Sequence, residues 1–393
     1  MTIDWDTARQ RVHEAGARAA LVPLRQKLPE TDGTTLAEPL IALTPLPSFP
    51  TSSVDGYAVR GAGPWRLVGR VLAGQVAGTL DDGTAVEVAT GAMVPEGVEA
   101  IVRLENATVD DDKVDGTARP TPEWRRVGEE CAEGEELLAS GTAVTPAIIG
   151  MAAAAGHDEL TVRAKPRVAT LVFGDELTTV GVPAAGRVRD SLGPQLPSLI
   201  RRCGGVPVPG FSPRGPIEDT LDSHVSVLRA ALDDADIVCT TGGTMHGPVD
   251  HLHAALRELG AEYVVDTVAV RPGYPMLVAA LPGDRFVAGL PGNPQSAVIA
   301  FASLVVPLVR AMSGRTPTEL GTVRLSADVP GRGDHTHLVL VRRDTDGTAH
   351  PLPHTASSML RGLAAADGFA VVEPGRTGRV GDSVRFLPVP SAP

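Results

Sequence analysis

The chain has 393 residues, 43% of them apolar but only 3% aromatic, and a formal net charge of −12. Single cores rarely grow past roughly 250–300 residues, so a one-domain protein is excluded and several domains are expected. The acidic balance excludes general nucleic-acid binding, which needs a basic face, but local arginines and backbone N–H groups can still hold a small anion.

Lys27, Lys113 and Lys165 are the only lysines, so positive charge is almost all arginine. Cys131, Cys203 and Cys239 are odd in number and in no CxxC pair; Cys203 and Cys239 lie in apolar patterns that suit buried free thiols. The sequence has no N-terminal apolar h-region and no evident apolar run near 18 residues, so no membrane segment and a soluble cytoplasmic protein are expected.

In chain order, residues 4–25 show helix-like spacing, with Trp5, Ala8, Val12, Ala15 and Ala19 on one face. The proline-spaced run Thr44–Ser53 reads as an extended entry into a second domain. Short β-like runs follow at Trp65–Leu72, Ala85–Ala89 and Ala100–Leu104, with Asp110-Asp111-Asp112 at a hairpin tip. Pro146–Ala155 is a helix candidate closing at Gly156. The expected division is a small mixed domain (1–45 and 128–165) carrying an inserted β domain (46–127).

From residue 166 to 314 strands and helices alternate. Arg167–Phe173, Val206–Val208, Ile237–Cys239 and Phe286–Leu290 read as strands. Pro194–Cys203, closed by Gly204, and an amphipathic run through Ile217, Leu221, Val225, Leu228 and Leu232 read as helices. A further helix is expected from near Pro248 to Leu259, with Gly260 just past its end. The last helix, Pro294–Met312, has Asn293 as its expected N-cap, a kink at Pro307 and a stop at Gly314. Such alternation implies a doubly wound, mostly parallel sheet with helices on both faces. Residues 315–393 return to β, with strands at Thr322–Ala327, Leu338–Arg342, Gly368–Val372 and Ser383–Leu387 and a turn at Asp346-Gly347. They predict a small β-barrel or sandwich. The fold class is therefore multidomain α/β plus β.

Three segments follow strands of the α/β domain: Gly174–Leu177 (GDEL), Thr240–Asp250 (TTGGTMHGPVD) and Leu290–Ala297 (LPGNPQSA). If those strands run parallel, all three fall on one edge of the sheet, where ligands of such folds bind. That edge gathers Asp175, Glu176 and Asp250 with the amides of Gly242, Gly243 and Gly292. Amides at helix starts suit phosphate, and carboxylates suit a hard cation such as Mg²⁺. Neither GxxxxGK[ST] nor GxGxxG is present, which excludes a P-loop and a Rossmann dinucleotide site. Plainer roles stand beside these: Asp250 and Glu176 as helix-start acids, Asp55 as an Asx-turn residue and Thr90 as a strand-end hydroxyl.

These segments, together with SSVDGYAVR (52–60), Glu87–Val102, Arg125–Glu130, RPGYP (Arg271–Pro275) and Ser357–Gly375, resemble the molybdopterin molybdenumtransferase family (MoeA and the gephyrin E domain) in order and spacing. The resemblance implies a homodimer of four-domain subunits, with a molybdopterin-binding type α/β domain (166–314) and a C-terminal β-barrel (315–393). Enzymes of this family use Mg²⁺ and molybdate to cleave adenylylated molybdopterin, in a cleft between one subunit's α/β domain and the other's β domain. It also implies a molybdopterin adenylyltransferase as partner. By position, Asp250, Glu176, Asp55 and Arg271 match catalytic places, with Asp250 and Glu176 as Mg²⁺ ligands. Thr90, Asp190, Gly242, Gly243, Pro291, Gly292, Asn293, Pro294 and Ser296 match places that bind the pterin, phosphate or molybdate.

The chain departs from the family pattern at several of these places. Val172-Phe173 replaces a Ser-Thr pair, Leu192 replaces the amide of a D-S-N stretch, and Met245-His246-Gly247 replaces S-V-G. The KPGKP lysines are Arg271 and Tyr274, and a lysine four residues earlier is Thr267. The molybdate pocket thus loses up to two cations unless Arg187 or Arg189 substitutes. Two other readings therefore stand: a divergent non-catalytic paralogue that binds pterin or a partner protein, and a related enzyme for another anionic substrate. His246, His251 and His253 cluster, but His251 and His253, two apart on a helix, face different ways, and His335 with His337 on a strand supplies only two ligands, so a histidine metal site is not expected.

Overall fold

The computed structural model describes residues 2–209, 217–218, 220–245 and 251–390. They form two compact units: Met1–Leu24, Gly33–Ala37 and Val162–Pro393 make the first, Arg25–Asp32 and Glu38–Thr161 the second.

In the first unit, Asp4 starts a helix by accepting the Thr7 N–H at 2.8 Å, and the helix runs Trp5–Arg18. Trp5, Ala8, Val12 and Ala15 are buried, as their spacing predicts. It stops well short of residue 25, because the chain turns into an extended segment at Pro23–Lys27. The central sheet runs in the order Val206–Pro207, Arg167–Val172, Ile237–Thr241, Arg285–Leu290, Leu277–Leu281, Glu262–Val265. The first four strands pair in parallel and Leu277–Leu281 alone runs against them, antiparallel to both its neighbours, giving the mostly parallel sheet expected.

Helices cover both faces. Leu192–Cys203, Trp5–Arg18 and Pro294–Met312 pack on one, burying Leu196, Ile200, Val298 and Phe301. Leu221–Asp234 and Leu252–Glu258 cover the other, with Leu228, Leu252 and Leu256 buried. Ile217 is not helical: it bridges in parallel to Phe173, and the helix begins only after Thr220, whose hydroxyl accepts from Ser223 N–H. Pro248 lies outside the described residues; the helix after it is described from Leu252, and Gly260 follows its end at φ +71°.

Pro294–Met312 corrects the reading of the apolar runs: its 19 residues are long and apolar enough to cross a membrane, but 89% of that stretch is buried as a core helix. Residues Phe301–Val305 form a π turn just before Pro307, which takes up the missing N–H where a kink was expected. Asn293 holds the N-cap position without a side-chain capping bond. Cys131, Cys203 and Cys239 are free; burial pushes the Cys203 thiol up to about 12 and holds that of Cys239 higher still.

C-terminally, the strands Gly321–Leu325, Thr336–Arg343, Thr348–Pro351, Gly368–Val372 and Ser383–Pro388 close into a five-stranded barrel, because Thr336–Arg343 pairs with both Thr348–Pro351 and Gly368–Val372. Val323, Val341, Ala370 and Phe386 fill its interior. The short strand Val270–Arg271 adds to the barrel wall by pairing Arg271 with His337.

An ion-pair network ties the N-terminal helix to this barrel. Arg385 forks onto Asp6 with two 2.8 Å bonds and reaches Glu373 at 2.9 Å, its guanidinium 5.6 Å from the Trp5 ring centre. The two carboxylates hold the guanidinium above its ordinary pKa. Arg385→Ala should lower the unfolding free energy by about 1–2 kcal/mol, and Arg385→Lys should recover part of that loss because an ammonium cannot fork. Urea midpoints of the three proteins measure the ordering.

In the second unit a six-stranded sheet runs Ala107–Asp110, Lys113–Gly116, Trp65–Val71, Thr84–Val88, Gly56–Val59, Ala100–Arg103. Both faces bury side chains, Tyr57, Trp65 and Val102 on one, Ala58, Val88 and Ile101 on the other. The acidic tip is a hairpin turn as expected, with Asp110 opposite Lys113 and Asp111 at φ 51°. The helix Pro146–Ala154 is capped by Thr145 and followed by Gly156 at φ +97°.

Candidate functional site

The sheet edge forms because three parallel strands end in register, with Val172 opposite Thr241 and Thr241 opposite Leu290. The Gly174–Leu177, Thr240–Thr244 and Pro291–Asn293 turns therefore emerge side by side. Gly242 leaves its strand at φ +85°, a conformation that favours glycine, and its N–H donates to Leu290 O at 3.0 Å. A methyl group built on Gly292 would come within 3.9 Å of the Gly242 Cα, so two bare backbones face each other. Gly243 follows at φ +66° beside Leu252.

Glu176 is exposed, and its carboxylate folds back over Gly174, where a side chain would meet it at 2.8 Å. An exposed carboxylate is the kind of hard oxygen ligand that a divalent cation takes. Asp250 and His246 lie outside the described residues. Among the described residues no group of three His, Cys, Asp or Glu side chains is placed to hold a metal.

Asp190 is buried, and its Oδ1 accepts the Leu192 and Gly193 N–H groups, both at 3.0 Å, so it caps the Leu192–Cys203 helix. Its Oδ2 is buried with no partner among the described residues. Phe173, standing where the family pattern has a hydroxyl, stacks on His224 with ring centres 3.8 Å apart, so the departure serves packing. Arg187 donates to the Asp175 carbonyl and Arg189 pairs opposite Thr178 in a two-stranded ribbon; neither lines the cavity that holds Arg271.

That cavity, of about 850 Å³, lies between the Arg271–Pro275 turn, the Pro291–Ser296 segment and the barrel. Arg271, Pro291, Asn293 and Ser296 line it, and Pro294 begins the helix behind it. Ser296 is buried, and the Gln295 N–H donates to Ser357 O at 2.9 Å, joining the helix start to the Thr355–Ser357 wall. Tyr274 and Thr267, the places that lose lysines, meet through Thr2, whose hydroxyl lies 2.9 Å from the Tyr274 hydroxyl and 3.0 Å from that of Thr267. The Tyr274 ring lies 5.0 Å from the Arg271 guanidinium, so the tyrosine supplies a π face instead of a charge.

Arg332 and His337 also line this cavity, and sequence reasoning placed neither there. The alternation His335-Thr336-His337 carries the sequence signal, because strand residues two apart share one face.

In the second unit, Asp55 and Thr90 meet. Asp55 Oδ1 accepts the Thr90 N–H at 2.6 Å and the Thr90 hydroxyl at 2.9 Å, tying the start of one strand to the end of the next. The backbone and then the hydroxyl bond hold the Asp55 carboxyl below its ordinary pKa. Both residues are exposed, so the pair stays open to a ligand.

Comparison with known proteins places these segments. Residues 3–156 match the MoeA N-terminal region (domain I and II), residues 169–311 a probable molybdopterin binding domain, and residues 322–389 the MoeA C-terminal region (domain IV). The chain is 33% identical over 375 residues to molybdopterin molybdenumtransferase 2 of Mycobacterium tuberculosis, covering 88% of this chain and 90% of that one. It is 32% identical over 294 residues to the molybdopterin molybdenumtransferase of Staphylococcus aureus, covering 71% and 69%. The crystal structure of the molybdopterin biosynthesis moeA protein of Pyrococcus horikoshii superposes with a TM-score of 0.78 at 22% identity, over 98% of this chain and 99% of that one.

Proposed function

Because the chain belongs to the MoeA family of molybdopterin molybdenumtransferases, we propose that it inserts molybdate into adenylylated molybdopterin with release of AMP. The observation that carries this reading is the cavity that both Arg271, a forked cation, and the buried Ser296, a hydroxyl, line. That pair suits a tetrahedral oxyanion.

In this proposal the phosphoanhydride lies against the amides of Gly242, Gly243 and Gly292. The buried Asp190 Oδ2 accepts from a pterin N–H, which gives that atom the partner it lacks. Glu176 and Asp250 hold Mg²⁺, which when bound neutralises charge on the phosphoanhydride oxygens. Asp55 and Thr90 belong to the site through a second copy of the chain, in a soluble cytoplasmic homodimer of four-domain subunits. A molybdopterin adenylyltransferase supplies the substrate.

The test mixes purified chain with adenylylated molybdopterin, Mg²⁺ and molybdate and follows AMP by chromatography. Molybdate-dependent AMP release is expected, and Glu176→Gln should raise the Mg²⁺ needed for half-maximal release about tenfold. The network that ties Tyr274 and Thr267 to Thr2 where lysines are lost favours a second reading, a non-catalytic paralogue. Tight pterin binding without turnover would establish that reading, and AMP release indifferent to molybdate would refute insertion.

A further inference from the structure

We propose that His337 is an oxyanion ligand of the Arg271 cavity and takes up a proton as the anion binds. The inference rests on the anion-binding reading of that cavity.

His337 lines the cavity and pairs opposite Arg271 in the strand register, so the two side chains belong to one rigid stretch of wall. Its Nδ1 lies 2.8 Å from Pro330 O, an acceptor only, so Nδ1 carries hydrogen and the ring orientation is fixed. Nε2 has no hydrogen-bond partner among the described residues. In the neutral ring it holds a lone pair, which repels an oxyanion. In the protonated ring it is a charged donor, which attracts one.

The surroundings set which form is present. The charged and titratable groups about His337 are Arg271 and Tyr274 on the turn, Asp328 and Arg332 on the preceding loop, His335 on its own segment, and Glu373 beyond the neighbouring strand. Both carboxylates are committed: Asp328 accepts from Arg379 and the Val380 N–H at 2.9 and 2.8 Å, and Glu373 is bound by Arg385. Burial pushes the imidazole below its ordinary pKa, the Pro330 carbonyl opposes this, and Arg332 adds to it. These surroundings disfavour the charged imidazole. An anion supplies the negative charge that the committed carboxylates do not. Binding then raises the pKa of His337, and affinity rises as pH falls.

Isothermal titration of the full chain with sulfate, and separately with molybdate, between pH 6.5 and 8.5 in two buffers of different ionisation heat tests this. Wild type should bind with uptake of close to one proton, its affinity weakening up to about tenfold per pH unit on the alkaline side. His337→Gln should bind more weakly with no proton uptake, and His337→Arg, a fixed cation, should bind with no pH dependence over this range. Undiminished proton uptake in His337→Gln, or pH-independent binding by wild type, overturns the proposal. So does the absence of sulfate and molybdate binding at every pH. AMP release is scored separately: proton-linked anion binding without it would refute the enzymatic reading and leave this one standing.

Discussion

Arg271→Ala should lower kcat/KM for molybdate about 10- to 100-fold, the cost of a charge-assisted, forked contact to an oxyanion. The loss should fall mainly on KM, because the guanidinium serves bound molybdate both before and during transfer. Arg271 stands out among the chain's many arginines because its position is fixed twice. Its strand is pinned to the barrel by pairing with His337, and the Tyr274 ring lies 5.0 Å from its guanidinium. Tyr274→Phe keeps that ring and should stay within about twofold of wild type, whereas Tyr274→Ala should raise KM about three- to tenfold. Arg271→Lys should fall between, keeping charge without the fork. An unchanged molybdate KM in Arg271→Ala would remove molybdate from this cavity.

Much of the scaffold was legible because periodicity and punctuation agreed. Glycines past the helix ends (Gly156, Gly204, Gly260) and the apolar stripe from Trp5 to Ala15 needed no tertiary information. The reading failed where tertiary contacts overrode local pattern. Ile217 keeps helical spacing with Leu221 yet is drawn into a bridge with Phe173. The helical pattern past Arg18 yields to an extended segment at Pro23–Lys27.

The strand pattern left barrel and sandwich open and the family resemblance implied the barrel; what closes it, Thr336–Arg343 pairing on both sides, is a tertiary pairing that local pattern does not carry. In the candidate site, the sheet-edge glycines were legible since parallel strands must end together. The cavity was not, because Arg271, Ser296 and His337 lie far apart in sequence and are brought together by the pairing of Arg271 with His337 and the bond of Gln295 to Ser357. Tyr274 read as a lost charge, and only its distance to Arg271 reveals a compensating π face.

Gly292→Val should lower kcat/KM for adenylylated molybdopterin by about 100-fold while leaving the fold intact, because the change narrows a gap between two backbones rather than straining one. Gly292 is not among the glycines at positive φ, and a Cβ built on it meets nothing nearer than the Gly242 Cα at 3.9 Å, an ordinary contact. Added methyls would therefore stand between the Thr241–Gly243 and Pro291–Asn293 turns, where phosphate must approach the amides. Gly242→Ala gives the contrast: at φ +85° it pays about 1–2 kcal/mol of left-handed strain, so stability and activity should fall together. Thermal unfolding and AMP release measured on both variants separate the cases. A Gly292→Val protein of wild-type activity would mean that the phosphates do not lie between these turns, and would leave Glu176 without its proposed substrate.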